Sequence, residues 1–184
     1  MAQANLRLGS IGLHPCDWDQ HYYPPDLPGD WVFDFLANEL PVALLRPDEL
    51  DVQCALHGAA DWAELLDELQ NEDFRLWLDL RGSDMPEGAA LSALGQHLEG
   101  IIADRPLEGV PVPLWPESDC WSSQRPQARG PGLLTLQGDE SPRALRALLE
   151  SFEQACALDA PVLLVEAPRA RFETLQTLVD LMGL

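Results

Sequence analysis

Residues 11–31 read IGLHPCDWDQHYYPPDLPGDW, and the way this stretch changes character decides the fold class. Its apolar opening closes a first strand over residues 6–13, with Gly9 and Gly12 leaving room for a close backbone or ligand approach. A loop crowded with His, Cys, Asp, Trp and Tyr follows, stopped by Pro24, Pro25, Pro28 and Gly29. Asp30 then stands as a helix N-cap, and Trp31, Phe35 and Leu36 recur at helical spacing up to Pro41. Strand, loop, helix is the unit of an α/β protein.

The rest of the chain repeats it. Residues 41–46 (PVALLR) are an apolar run of strand length, and residues 51–56 (DVQCAL), although they alternate only weakly, suggest another. Asp61 sits three residues before Glu64, as in a capping box, ahead of a Trp62, Leu65, Leu66 and Leu69 stripe. Residues 74–80, FRLWLDL, form the clearest strand, alternating Leu76, Leu78 and Leu80 against Trp77, Asp79 and Arg81. Beyond Gly82, Leu91, Leu94, Leu98, Ile101 and Ile102 predict a helix running to Pro106. Residues 110–115 are strand-like, but Pro111 and Pro113 remove ladder donors and favour an edge position. A long loop (116–131) leads to a strand at 133–137. Ser141 and Pro142 open a helix carrying Leu145, Leu148, Leu149, Phe152 and Cys156. PVLLVE (161–166) reads as a buried strand, and Phe172 to Met182 as a closing helix. Such alternation predicts one α/β domain, 1–184, with about six largely parallel strands.

Bulk composition narrows the function. Apolar residues make up 46% and charged residues 23%, within globular usage. The formal net charge is −20, and all 11 basic residues are arginine. A field of that sign repels phosphates, so direct nucleic-acid binding and adhesion to anionic membranes are disfavoured. No apolar run reaches membrane-spanning length, and MAQANLRLGS lacks the pattern of a signal peptide, which predicts a cytoplasmic protein. Cys16, Cys54, Cys120 and Cys156 have no paired spacing and are expected to be reduced thiols.

Ile11-Gly12, Trp18, Tyr22-Tyr23-Pro24-Pro25, Leu27-Pro28 and Trp31 together resemble the IG…W…FYP…LP…W run of the YecE-like family of bacterial proteins. The resemblance covers the N-terminal third and implies a TIM-barrel-like fold of unestablished activity. Where that family carries a VEINSTFY-type strand, this chain has PVALLRPDEL. About six strands are also fewer than the eight of a closed barrel. The expected fold is therefore a shortened or incomplete TIM-barrel-like domain, with an open doubly wound sheet as the alternative.

In parallel α/β architectures ligands bind beyond the carboxyl ends of the strands. Those ends supply His14, Arg46, Asp79 with Arg81, Trp115 with Glu117, Gln137 and Glu166. Asp79, Glu166 and His14 are the candidate catalytic groups, because a carboxylate pair with an imidazole can perform acid–base work. The bland alternative pairs a carboxylate with Arg81 or Arg46. Trp18, Tyr22, Tyr23, Arg46, Arg81 and Trp115 are the candidate ligand-binding side chains, although aromatics beside prolines also staple loops onto a core. His14, Cys16, Asp19 and His21 are ligand types for a divalent metal, in a spacing that matches no zinc signature. No other cofactor is indicated, since G-x-S-x-G, P-loop and complete G-x-G-x-x-G motifs are all missing.

Two functions follow. One is a non-catalytic or vestigial YecE-like domain acting as an acidic adaptor for a basic protein partner. The other is an enzyme acting on a small polar ligand (a sugar or a phosphate), with or without metal assistance. A metal-dependent nuclease is opposed by the charge and by a supply of only His14, His21, His57 and His97. The balance falls on the adaptor.

Overall fold

A computed structural model describes residues 6–18, 22–83, 88–105 and 112–184. Among the described residues there are seven strands: β1 (Arg7–Ile11), β2 (Val42–Leu45), β3 (Arg75–Asp79), β4 (Leu98–Ala103), β5 (Leu114–Pro116), β6 (Gly132–Thr135) and β7 (Val162–Glu166). Alternating with them among the described residues are six α-helices: α1 (Val32–Glu39), α2 (Pro47–His57), α3 (Ala59–Asp67), α4 (Gly88–Leu94), α5 (Pro142–Ala155) and α6 (Arg169–Met182). The fold is α/β, and the ladders between described strands are parallel.

The strand order is β5-β4-β3-β2-β1-β7-β6. Each step from β1 through to β5, and again from β6 to β7, moves the same way along this order. Right-handed crossovers that never reverse direction put their helices on one face. A doubly wound sheet needs a reversal, so this order is that of an incomplete TIM-barrel-like sheet, its cyclic sequence interrupted between β5 and β6.

The chain divides into two compact units. The first contains the residues up to Ser10 with His14–Pro25 and Ser118–Leu184. Here β1 and β6 flank β7, whose Val162, Leu163, Leu164 and Val165 are fully buried. A strand enclosed on both faces reads as a continuous apolar run, as PVLLVE does. Gly132 is required: a Cβ there would strike Leu163 and come within 2.9 Å of the Phe152 ring on α5. Ser141 caps α5 by accepting the Ala144 N–H at 3.2 Å, with Pro142 in the first turn. Outside β6, Trp121 makes a parallel bridge to Gly132, with Trp121 N–H donating to the Pro131 carbonyl and Leu133 N–H to the Trp121 carbonyl.

The second unit contains Ile11–Leu13 and Asp26–Glu117. Its centre is β3, paired with β2 and β4. Phe74 meets Phe33 of α1 edge-on, and Phe33 meets Trp62 of α3. Phe74, Leu76 and Leu78 therefore face the helices, while Arg75, Trp77 and Asp79 face the opposite side. Trp77 lies over Gly100 so closely that a Cβ there would be 2.6 Å from its ring.

Several expectations are corrected. The helix predicted to run to Pro106 ends at Leu94; Gly95, at φ +49°, breaks it, and LEGIIA becomes β4. Leu98, Ile101 and Ile102 are all buried, and an apolar run enclosed on both faces mimics helical spacing. DVQCAL is helical, inside α2, which Pro47 begins and Gly58 ends. Asp61 lies within the first turn of α3 and caps nothing; Gly58 precedes that helix. Trp31 is 61% exposed, and α1 instead buries Val32, Phe33, Leu36 and Ala37. Val110 and Pro111 fall outside the described residues, but Leu114–Pro116 holds the expected edge position. Among the described residues no helix is long and apolar enough to cross a membrane.

Candidate functional site

In the first unit, the loop after β1 is fastened onto the junction of β7 and α6. Trp18 is fully buried; its indole N–H donates to the Ala167 carbonyl at 3.0 Å, and its ring meets Phe172 edge-on at 4.9 Å. Tyr22 tilts against Trp18 at 4.3 Å, with the Arg169 guanidinium 5.7 Å above its own ring. Tyr23 is 7% exposed and packs edge-on against both Tyr22 and His14. Asp17 accepts the Arg169 backbone N–H at 2.9 Å, filling one of the orphan donors at the start of α6. Trp18 and Tyr23 are thus core, and this loop's aromatics serve as a staple.

His14 and Cys16 are exposed, and Cys16 takes φ +49°, a left-handed conformation unusual for a non-glycine residue. Asp19 and His21, the other candidate metal ligands, lie outside the described residues. Among those described, no group of three His, Cys, Asp or Glu side chains is placed to hold a metal. The four cysteines are thiols rather than disulfides, with Cys120 buried. Burial raises the Cys156 thiol pKa; burial, then the charge of Asp51, raises that of Cys54. Glu166 is half-buried at the end of β7, opposite Thr135 of β6.

In the second unit, Asp79 and Arg81 form a two-pronged pair at the end of β3. Arg81 Nε donates to Asp79 Oδ1 at 2.8 Å and Nη2 to Oδ2 at 2.7 Å. Glu117 Oε1 approaches Nη1 at 3.2 Å. The hydrogen bond to Asp79, helped by attraction to both carboxylates, outweighs partial burial and holds Arg81 more firmly charged than an ordinary arginine. This planar pairing is the structural role weighed against acid–base chemistry for Asp79.

Arg46 precedes α2, and the group that organises its surroundings is Glu49, which carries no mark as a candidate in the sequence. Glu49 Oε1 accepts the Leu13 N–H at 2.6 Å, and Oε2 accepts the Arg46 N–H at 2.9 Å. One carboxylate thus ties the end of β1 to the start of α2. Gly12, at φ +83°, allows this: a Cβ there would lie 2.8 Å from Arg46 Nη1 and 2.9 Å from Glu49 Oε1. A local signal for half of the tether does exist, since Glu49 stands third in a helix opened by a proline, where a side chain reaches back to the cap. Trp115 is half-buried on β5, opposite Ile102.

An open cleft of about 390 Å³ lies past the ends of β3 and β4, lined by Gly82, Ser83, Asp104 and Arg105. Gly82 N–H donates to Asp104 at 3.1 Å, and Arg105 Nη2 donates to the Ser83 carbonyl at 3.3 Å. Neither Ser83, Asp104 nor Arg105 carries a sequence pattern that marks it. Of the candidate catalytic residues, His14 and Glu166 belong to the first unit and Asp79 to the second.

Comparison with family models, with curated proteins and with solved structures gives no match. The class that fold and site define is an α/β protein of incomplete-barrel type with polar strand ends.

Proposed function

We propose that this protein is a non-catalytic acidic adaptor of the bacterial cytoplasm, a vestigial YecE-like domain whose partner is a basic protein. The observation that carries this reading is how the chemically able side chains are occupied. Trp18 is buried and hydrogen-bonded, Asp17 tethers α6, and Asp79 is matched by Arg81. What the surface offers in quantity is carboxylate, at a net charge of −20. Such a surface recruits cations through long-range attraction and gains specificity from complementary charge.

The cleft at Gly82, Ser83, Asp104 and Arg105 favours a second reading, an enzyme or binder for a small polar ligand such as a sugar or phosphate, divalent metal included. A thermal-shift screen of divalent ions, sugars and phosphates, with elemental analysis, separates the two, because a ligand of the native state raises the melting temperature. The adaptor reading expects no shift and a salt-sensitive complex with a cationic protein. A stoichiometric metal lost on His14→Ala, or a ligand shift lost on Asp79→Ala, overturns it in favour of the enzyme.

A further inference from the structure

We infer that the outward face of α2 docks a basic amphipathic helix of another protein, a placement that rests on the acidic-adaptor reading. Val52 and Leu56, one helical turn apart, are 54% and 56% exposed, and Ala55 lies exposed between them. Residues spaced i, i+3, i+4 form one stripe, and a surface helix normally turns such a stripe inward. α2 instead buries Leu50 and Gln53 and is tied down by Glu49. Its apolar stripe is therefore surplus to the packing that holds the helix.

The surroundings define what the stripe fits. Asp48 and Asp51 are exposed on the same turns, at its N-terminal end. Residues 47–73, spanning α2 and α3, hold nine Asp or Glu and no Arg or Lys, and Asp61, Glu64 and Asp67 of α3 are exposed. A second copy of a chain carrying −20 would bring like charges together, and nucleic acid or anionic lipid meets the same repulsion. A helix with Leu, Ile or Val along one side and Lys or Arg beside them satisfies both features at once. It would lay its apolar ridge against Val52, Ala55 and Leu56 and set its cations against the carboxylates.

The test uses the whole chain and three labelled synthetic peptides of equal length and charge: a Leu/Lys amphipathic helix, its scrambled form and a Lys/Gly peptide without apolar side chains. Affinities are read by fluorescence anisotropy. The amphipathic peptide should bind most tightly, and Val52→Ser with Leu56→Ser should weaken it by about tenfold or more. Both residues are already exposed, so the double variant should keep the wild-type circular dichroism. Asp48→Asn with Asp51→Asn should weaken binding chiefly at low salt, where charges act over a longer range. Equal binding of the amphipathic and scrambled peptides, unaltered by the serine variant, overturns the α2 surface yet leaves the acidic-adaptor reading in place. Failure of all three peptides to bind at low salt overturns both.

Discussion

Replacing Glu49 by alanine should be among the most damaging single changes open to a polar residue in this chain. Its two oxygens accept the backbone N–H groups of Leu13 and Arg46 at 2.6 and 2.9 Å. Leu13 is 1% exposed, so its stranded donor would have little access to water. Bonds to a charged acceptor contribute about 1.5–3 kcal/mol each, and the half-buried setting of Glu49 argues for the lower end. The sum is about 3 kcal/mol, or a melting-temperature decrease of about 6–12 °C for a domain of this size. Glu49→Gln keeps one acceptor oxygen but turns an NH2 group towards the other donor, and should cost about half as much. Urea unfolding followed by tryptophan fluorescence measures both, and an unchanged denaturant slope assigns the shift in midpoint to stability. If alanine and glutamine both remain within about 0.5 kcal/mol of wild type, the carboxylate is an ordinary surface group and the tether has been misjudged.

Gly12→Ala should destabilise by about 2–3 kcal/mol, combining the left-handed φ with displacement of the Arg46 and Glu49 side chains. Measured together with Glu49→Ala, it should be less than additive, because the two changes disturb the same contacts. Glu140 supplies a pH test: partial burial opposes its ionisation, but accepting the Gln137 and Gly138 N–H groups, with Arg171 nearby, lowers its pKa below the ordinary glutamate range. Its contribution is therefore present above the unfolded-state pKa and lost as pH falls through the folded-state value. In acid titrations of stability, Glu140→Gln should remove that increment and flatten the wild-type curve below the ordinary glutamate pKa; parallel curves would refute the assignment. Thiol titration at neutral pH should show one fast cysteine, the exposed Cys16, with Cys120 shielded by burial and Cys54 and Cys156 slowed by raised pKa values. Cys16→Ser should abolish the fast phase, and its persistence would show another thiol to be the accessible one.

What could be read in advance divides along a physical line. FRLWLDL and PVLLVE announced themselves as strands because β-pairing and burial demand the same residues there, and Ser141-Pro142 marked a helix start because its chemistry is entirely local. LEGIIA misled because a strand covered on both faces loses the two-residue period, leaving Leu98, Ile101 and Ile102 at intervals a helix would also choose. DVQCAL misled differently. The apolar residues of the helix that contains it point two ways, Leu50 inward and Val52 and Leu56 outward, so periodicity was silent while Pro47 and Gly58 bounded the helix. At the candidate site, pairing of a strand-end carboxylate with an arginine was legible in kind, but the sequence left Asp79 or Glu166, and Arg81 or Arg46, open as the partners, and the structure pairs Asp79 with Arg81. The Leu13–Glu49 and Trp18–Ala167 bonds span 36 and 149 residues, and no local pattern encodes a partner so distant.

The two ends of the strand order carry a consequence for how the molecule keeps its own company. At one end β5 is preceded by Pro113 and finishes on Pro116, residues without an N–H to offer; at the other, Trp121 already occupies the flank of β6 beside Gly132. Exposed strand edges are where chains template one another into fibrils, and proline or a covering segment is how natural sheets prevent it. A protein blunted at both flanks is protected against runaway cross-chain stacking even when crowded.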